Sequence, residues 1–355
     1  MKIIHTSDIH LASALTSRLP SSKVASRRRE LMGNLSRMTE FAKKERVGAI
    51  IIAGDLFDTE RVSARDIDSV LATIEGAREV AFFYLPGNHE GDILLSSGQR
   101  LPENLFIFGD DWTYFKLGDT VICGRAETSK DMFDTLMLDE GHKNIAVLHG
   151  ELRDRSEAGG VIGLSDAAGR NIDYLALGHY HKYSKRDIDK RGVAVYSGAP
   201  EGRGFDEVGE MGFSLIDTDM PRANLFIPFA KRKLLITDVD ISGAFRSFDV
   251  AERISAAVAD MGKENLITVN LVGKRELSLS FDTELMKEKL LGGFYYAKIK
   301  DSSKLVTRAE DFVNDKSLKG EFIRLCLSDT TLTDDEKQKI IHCGLSALGG
   351  EAFDE

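Results

Sequence analysis

Five of the eight histidines in this 355-residue chain, His10, His89, His149, His179 and His181, lie in short strings rich in carboxylates and glycine. The strings are Asp8-Ile9-His10, Gly54-Asp55-Leu56-Phe57-Asp58, Gly87-Asn88-His89-Glu90, Leu148-His149-Gly150 and Gly178-His179-Tyr180-His181. Imidazole and oxygen donors gathered in such number suit a two-metal hydrolytic site. They favour manganese, iron or zinc over a thiolate-bound metal. Taken singly, the strings differ in weight. Asp-x-His is weak, the lone His149 reads more readily as a hydrogen-bonded core or loop histidine, and a turn would explain Gly54-Asp55. Asn88 and His89 together after Pro86-Gly87 have little packing rationale. His179 and His181 alternate, so in extended chain both point to one side and could chelate jointly. It is their joint occurrence, each after a run that reads as a buried strand, that sets them apart. His5, His142 and His342 lack such company and read as structural.

In an open α/β sheet, functional side chains collect beyond the carboxyl ends of the strands. The positioning elements are therefore strands, predicted over 1–6, 49–53, 80–85, 120–123, 145–148 and 174–177. Apolar runs this continuous indicate a sheet covered on both faces. Between them, Leu31, Leu35, Met38 and Phe41 form a helical stripe in segment 26–45, and a second helix is predicted over 64–76. More strands follow over 193–196, 212–216 and 224–227. Near residues 229–233 the character changes to a smaller α/β pattern without metal-type strings: strands over 234–241, 266–272 and 294–299, with helices over 249–261 and 282–291. The tail opens on a capping box, Thr333 to Glu336. Ile341, Leu345 and Leu348 continue that helix, and Gly349-Gly350 is expected to stop it. The expected domains are thus 1–229, 230–330 and a C-terminal helix within 331–355.

Composition narrows the partners. A net charge of −10 opposes whole-surface attraction to nucleic acid. Local binding stays open, because divalent cations reverse the sign at a carboxylate-rich site. Two basic clusters, Arg27-Arg28-Arg29 and Lys182, Lys185, Arg186, Lys190 and Arg191, read either as phosphate contacts or as solvated faces. No apolar run approaches membrane-spanning length, and Met1-Lys2-Ile3-Ile4 leads straight into a strand, which argues against a signal peptide. Cys123, Cys326 and Cys343 form no CxxC pair and suit a reducing cytoplasm.

In order, the strings read DxH, GDxxD, GNH(D/E), LHG and GHxH, and with them the chain resembles the calcineurin-like metallophosphoesterases. Within that superfamily it is most similar to the SbcD-type DNA repair nucleases, in particular their YhaO-like bacterial branch. The likeness rests on HTSDIHLAS from His5, IIAGDLFDTERVSARD from Ile51, ALGHYHKY from Ala176 and VYSGAPEGRGFDEVGEMGF from Val195. It spans roughly residues 1–228 and continues more loosely beyond. The resemblance implies an α/β fold, a four-layer αββα sandwich with a second, smaller α/β capping domain. It implies one metal held by Asp8, His10, Asp55 and His181, with Asp55 bridging to a second held by Asn88, His149 and His179. Such ions sit roughly 3.5–4 Å apart and activate a water for in-line attack on phosphorus. His89 would stand by the leaving oxygen as charge stabiliser or proton donor. Asp58, and Glu90 in place of the more usual Asp, would orient neighbouring groups.

The function implied is a manganese-dependent DNA nuclease, exonuclease or endonuclease, in DNA repair and recombination. Its implied cofactors are two divalent ions, manganese foremost with iron or zinc as alternatives. Its implied partners are DNA, as double-stranded ends or single strands, an SbcC-type SMC-like ATPase and a second copy of itself. It would be cytoplasmic, with no membrane association. Family members usually run longer beyond the capping domain, in a segment that docks the ATPase. Here only the helix over 333–348 is available for that task, and its apolar face could equally pack on its own domain. Two other functions remain open: a phosphoesterase for nucleotides or phosphoproteins, and a metal-binding scaffold subunit.

Overall fold

In the computed structural model the chain divides into two units, Met1–Leu234 and Leu235–Glu355. The structure describes residues 1–13, 15, 19–59, 62–87, 91, 93–156, 159–276, 279–306 and 312–349. In the first unit the apolar runs become the strands of two six-stranded sheets. One sheet sets β1 (Lys2–Thr6), β2 (Ala49–Ala53), β3 (Ala81–Leu85) and β4 (Leu105–Ile107) parallel and in that order. The other has β5 (Thr113–Leu117) and β6 (Thr120–Gly124) at one edge, followed by β7 (Lys143–His149). A small pair, β8 (Glu151–Arg153) and β9 (Val161–Gly163), stands apart. The second sheet then continues with β10 (Tyr174–Gly178) and ends in β12 (Val193–Tyr196) and β11 (Ser184–Asp187). Its β6, β7, β10 and β12 are parallel, with antiparallel β5 and β11 at the edges. Returning strands β13 (Gly212–Asp217) and β14 (Leu225–Pro228) extend the first sheet antiparallel beyond β1.

Strand alternation assigns each side chain to a layer. Ile3, Ile51 and Phe83 point inward and meet Ile122, Ile145, Val147 and Ala176 of the other sheet. Ile4, Ile50, Ile52 and Tyr84 point outward onto Leu35, Met38, Val70 and Ile74. Those residues belong to α2 (Asn34–Glu45) and α3 (Ala64–Glu75), which with α1 (Ser21–Met32) flank this sheet. Across the second sheet, Ala146, Leu148 and Leu175 pack on Met132, Phe133, Ile162 and Ala167. The short helices α4 (Ile93–Ser96) and α5 (Leu164–Ala167) complete the unit. This is the expected α/β sandwich of two sheets between outer layers.

The stripe over 26–45 is not one helix. Gly33 ends α1, its N–H donating to Arg29 O at 3.1 Å, and α2 restarts at the next residue. Glycine's poor helix propensity explains the break. Several members of the basic clusters are engaged within the protein. Arg27 is fully buried, with Nη1 2.7 Å from Glu201 Oε1 and Nη2 donating to Gly202 O at 2.7 Å. Arg186 pairs with Asp154 at 2.7 Å and Arg191 with Asp173 at 2.9 Å.

The second unit builds a three-stranded sheet from β15 (Leu234–Asp240), β16 (Leu266–Val272) and β18 (Tyr296–Asp301). Val250, Ile254, Val269, Leu271 and Met286 share its core, the helical members coming from α6 (Ser247–Ala257) and α7 (Thr283–Leu291). Strands β17 (Lys274–Glu276) and β19 (Lys304–Val306) pair separately. Helix α8 (Leu318–Ser328) was not anticipated. Its Ile323 and Phe322 pack with Ile341 and Leu345 of α9 (Asp334–Gly349), so the apolar side of the tail helix meets its own unit. Among the described residues no helix is long and apolar enough to cross a membrane.

Candidate metal centre

The candidate ligands sit in loops at the carboxyl ends of β1, β2, β7 and β10, where the two sheets face each other. Backbone bonds lace the first two loops together: Asp8 N–H donates to Gly54 O, and His10 N–H to Asp55 O, each at 3.0 Å. Asp8, His10, Asp55 and His179 all hold positive φ angles, of 51°, 48°, 53° and 109°. Non-glycine residues rarely adopt such angles, and they cluster at functional sites where the surroundings enforce them. Two glycines make room for the His149 ring. A Cβ on Gly54, whose φ is +89°, would lie 2.0 Å from His149 Nδ1. One on Gly178 would lie 1.8 Å from Ala53 O and 2.7 Å from the same nitrogen.

Donor atoms converge in two groups among the described residues: Asp8, His10 and His181, and Asp8, Asp55 and His149. In the first, His10 Nε2 lies 3.2 Å from His181 Nε2, and these atoms are 4.0 and 3.7 Å from Asp8 Oδ1. In the second, His149 Nε2 lies 3.5 Å from Asp55 Oδ2. The same Asp55 oxygen is 3.8 Å from His10 Nε2, so it stands between the groups. Asp8 takes part in both. His179 donates its backbone N–H to both Asp8 oxygens at 3.1 Å, and its ring stands edge-on to His149 with centroids 5.6 Å apart. Its ring nitrogens complete neither group. Asn88, His89 and Glu90 lie outside the described residues.

Each imidazole is aimed from behind. His149 Nδ1 lies 2.9 Å from the Ala53 carbonyl, which makes Nδ1 the donor and turns Nε2 toward Asp55. His10 Nδ1 is 3.1 Å from Asp58 Oδ1, and His181 Nδ1 is 2.6 Å from Glu207 Oε1. Arg203 holds both of those carboxylates, with Nη1 2.5 Å from Asp58 Oδ1 and Nη2 3.0 Å from Glu207 Oε1. Motif reading missed Glu207 and Arg203. Both lie in the stretch from Val195, but no periodicity marks them and neither alternates with a known ligand. By contrast His5 behaves as a structural histidine, buried with its Nδ1 3.0 Å from the Tyr174 hydroxyl.

The donor set fits divalent cations. Asp8 and Asp55 are 1% and 2% exposed, and burying two carboxylates this close is costly without positive charge between them. With Nδ1 of His10 and His181 each facing a carboxylate, the neutral tautomers place two Nε2 lone pairs toward each other, an arrangement a cation relieves. Protonation tells the same story. Burial would lower His149, but Asp55 at its Nε2 and the charge of Asp8 outweigh this and hold it up at about 9. Carboxylates that hold a proton on the His149 ring so firmly also favour a metal ion in its place. His179 is shifted the other way, first by burial and then by the charge of His149. Burial would raise Asp58 and Glu207, yet histidine contacts and the Arg203 charge hold each at about 2. An open cavity of about 650 Å³ lies beside His149 and His179. Its described lining includes Gly87, Gly150, Thr128, Asp110 and Glu127, with no lysine or arginine.

Comparison with known proteins agrees with this geometry. A family model, calcineurin-like phosphoesterase, matches residues 1–205. YhaO of Bacillus subtilis, described as an uncharacterized metallophosphoesterase, is 26% identical over 61% of this chain and 57% of its own length. The DNA double-strand break repair protein Mre11 of Methanosarcina acetivorans is 24% identical over 95% of this chain and 57% of its own. A component of the nuclease SbcCD from Staphylococcus epidermidis is 32% identical over 29% of this chain and 27% of its own. The chain thus spans little more than half the length of the first two.

Proposed function

The chain belongs to the calcineurin-like phosphoesterase family, and we propose that within it the protein is a manganese-dependent DNA nuclease, the nuclease subunit of an SbcCD-like repair complex. The observation that carries the chemistry is the meeting of Asp8, His10, Asp55, His149 and His181 donors at the strand ends of both sheets. The family fold binds divalent metals; manganese is the proposed pair, with iron and zinc as the alternatives this donor set admits. When bound, such ions supply the Lewis acidity that activates water near neutral pH and offset charge on the transferring phosphoryl group.

The chain's own residues do the rest. Asp8, His10, Asp55 and His181 would hold one ion, with Asp55 shared, and Asn88, His149 and His179 the other. Asp58 and Glu207 keep His10 and His181 turned inward, and the Ala53 carbonyl does so for His149. Water attacks phosphorus in line, the P–O bond to the leaving oxygen breaks, and His89 is proposed to donate a proton to that oxygen. DNA as substrate is supported by the names of the Mre11 and SbcCD relatives. The SbcCD relative is named as one subunit of a complex, which supports a partner subunit, here proposed to be an SMC-like ATPase. A homodimer, a cytoplasmic location and a capping, DNA-guiding role for residues 230–330 belong to this reading.

One observation favours a second reading. The cavity beside His149 presents Asp110 and Glu127 and no lysine or arginine among its described residues, which suits a nucleotide-sized phosphoester better than a long polyanion. The test is cleavage of linear duplex and single-stranded DNA by the purified protein with Mn²⁺, with and without a candidate ATPase. Bis(p-nitrophenyl) phosphate serves as a small diester beside them. Metal-dependent DNA cleavage, lost in Asp55→Ala and His89→Ala, is the expected result. Turnover of the small diester with DNA untouched would favour the nucleotide reading, and bound metal without any turnover the scaffold.

A further inference from the structure

Behind the first donor group the side chains close into a ring. His10 Nδ1 meets Asp58 Oδ1 at 3.1 Å, and that oxygen meets Arg203 Nη1 at 2.5 Å. Arg203 Nη2 and Nε lie 3.0 and 3.2 Å from Glu207 Oε1, which is 2.6 Å from His181 Nδ1. His181 Nε2 returns to His10 Nε2 at 3.2 Å. The Arg203 backbone N–H also donates to Glu207 Oε2 at 2.5 Å, so the carboxylate is gripped at both oxygens. The ring joins four separate segments: the loops after β1, β2 and β10, and the 203–207 turn. The second donor group is built differently. His149 is aimed by the Ala53 carbonyl, 2.9 Å from its Nδ1.

We propose that Arg203 is a positioning residue for one metal ion and not the other. It acts through Asp58 and Glu207 to set the angle at which His10 and His181 present Nε2 to a shared cation. A planar guanidinium suits this task because its fork can hold two carboxylates at a fixed separation while its charge offsets their repulsion. A lysine ammonium is a point charge with no such fork. Arg203 is itself anchored through its neighbours. Glu201 and Gly202 accept from buried Arg27, and Glu201 also accepts the Lys231 and Arg232 backbone N–H groups at 2.8 and 3.0 Å. The fork therefore starts from a fixed backbone.

This inference rests on reading the site as a two-ion centre, and its test does not depend on catalysis. The probe is Mn²⁺ alone, titrated into the metal-stripped full chain and followed by the electron paramagnetic resonance of the free ion. The unaltered chain is expected to show two sites. Arg203→Gln should weaken one of them by roughly 10–100-fold, the cost seen when a group orienting a metal ligand is removed. The other site should hold within about threefold. Arg203→Lys should fail to restore the weakened site. In an Asp58→Asn, Glu207→Gln background, adding Arg203→Gln should change nothing further. If Arg203→Gln does not fold, the isosteric Glu207→Gln is expected to show the same one-site loss. Equal weakening of both sites, or of neither, in whichever variant folds would overturn the proposal and leave Arg203 a general structural residue. No Mn²⁺ binding by the unaltered chain would overturn the metal-centre reading together with it. One-site loss without DNA cleavage by the unaltered chain would overturn only the nuclease assignment.

Discussion

The loop conformations at Asp8, His10 and Asp55 each carry a cost of order 1–3 kcal/mol that only their surroundings can enforce. A bound ion offsets such a cost, because anything that binds only the folded state adds stability by mass action. Chelation should therefore lower the melting temperature, and Mn²⁺ should restore it. Asp55→Asn keeps a side chain that tolerates the left-handed region, so this variant should fold. Its melting temperature, followed by circular dichroism, should be nearly indifferent to Mn²⁺; a full metal-induced rise would mean that Asp55 holds no ion. Gly54→Ala makes a complementary case. Its Cβ would fall 2.0 Å from His149 Nδ1 at a φ of +89°. The ring must move, and Mn²⁺ affinity should drop by at least ~10-fold, measured by the same titration. Unchanged affinity would show that His149 is not a ligand in its present position.

At the scale of elements, what could be read in advance follows how much burial each segment carries. β2 is buried at every residue and announces itself as Ala49-Ile50-Ile51-Ile52-Ala53. β11 is Ser184-Lys185-Arg186-Asp187, exposed throughout, and is a strand only because it pairs with the buried edge of β12. No local pattern could reveal it. The ligand strings were legible because each follows a buried parallel strand, whereas Glu207 and Arg203 act from a loop whose partners lie far away in sequence. Asp8 belonging to both donor groups was equally invisible, since spacing says nothing about which oxygens meet. β1 also carries a buried titrating group. Burial holds His5 at about 3, below its ordinary value of 6.5, despite the Leu177 backbone contact that opposes it. The unfolded chain thus takes up a proton between those values that the folded one refuses. Stability from His5 is intact above 6.5 and is lost as pH falls toward 3. Urea unfolding of the metal-free protein should give a steeper loss between pH 7 and 5 than the same measurement on His5→Gln. Equal slopes would mean that the ring is already solvated or charged in the folded state.

At the scale of the whole molecule, the net charge of −10 leaves long-range attraction to DNA weak, and Arg27, Arg186 and Arg191 of the basic clusters are already paired with carboxylates. If DNA is the substrate, contacts beyond the metal centre have to supply affinity, and the second unit is the candidate. Its β16, α6 and α7 share a core of their own, and no donor group forms there among the described residues. The first unit likewise holds both sheets and all the converging donors within Met1–Leu234. A chain ended after Leu234 should therefore fold, bind Mn²⁺ as the full protein does, and turn over bis(p-nitrophenyl) phosphate at a comparable rate. DNA cleavage should fall by at least ~10-fold if the second unit supplies even one well-made contact, about 1.4 kcal/mol. Assays on both substrates, normalised to bound metal, separate the alternatives. Undiminished DNA cleavage by the shortened chain would remove the guiding role from the second unit and place recognition of the polymer at the metal centre itself.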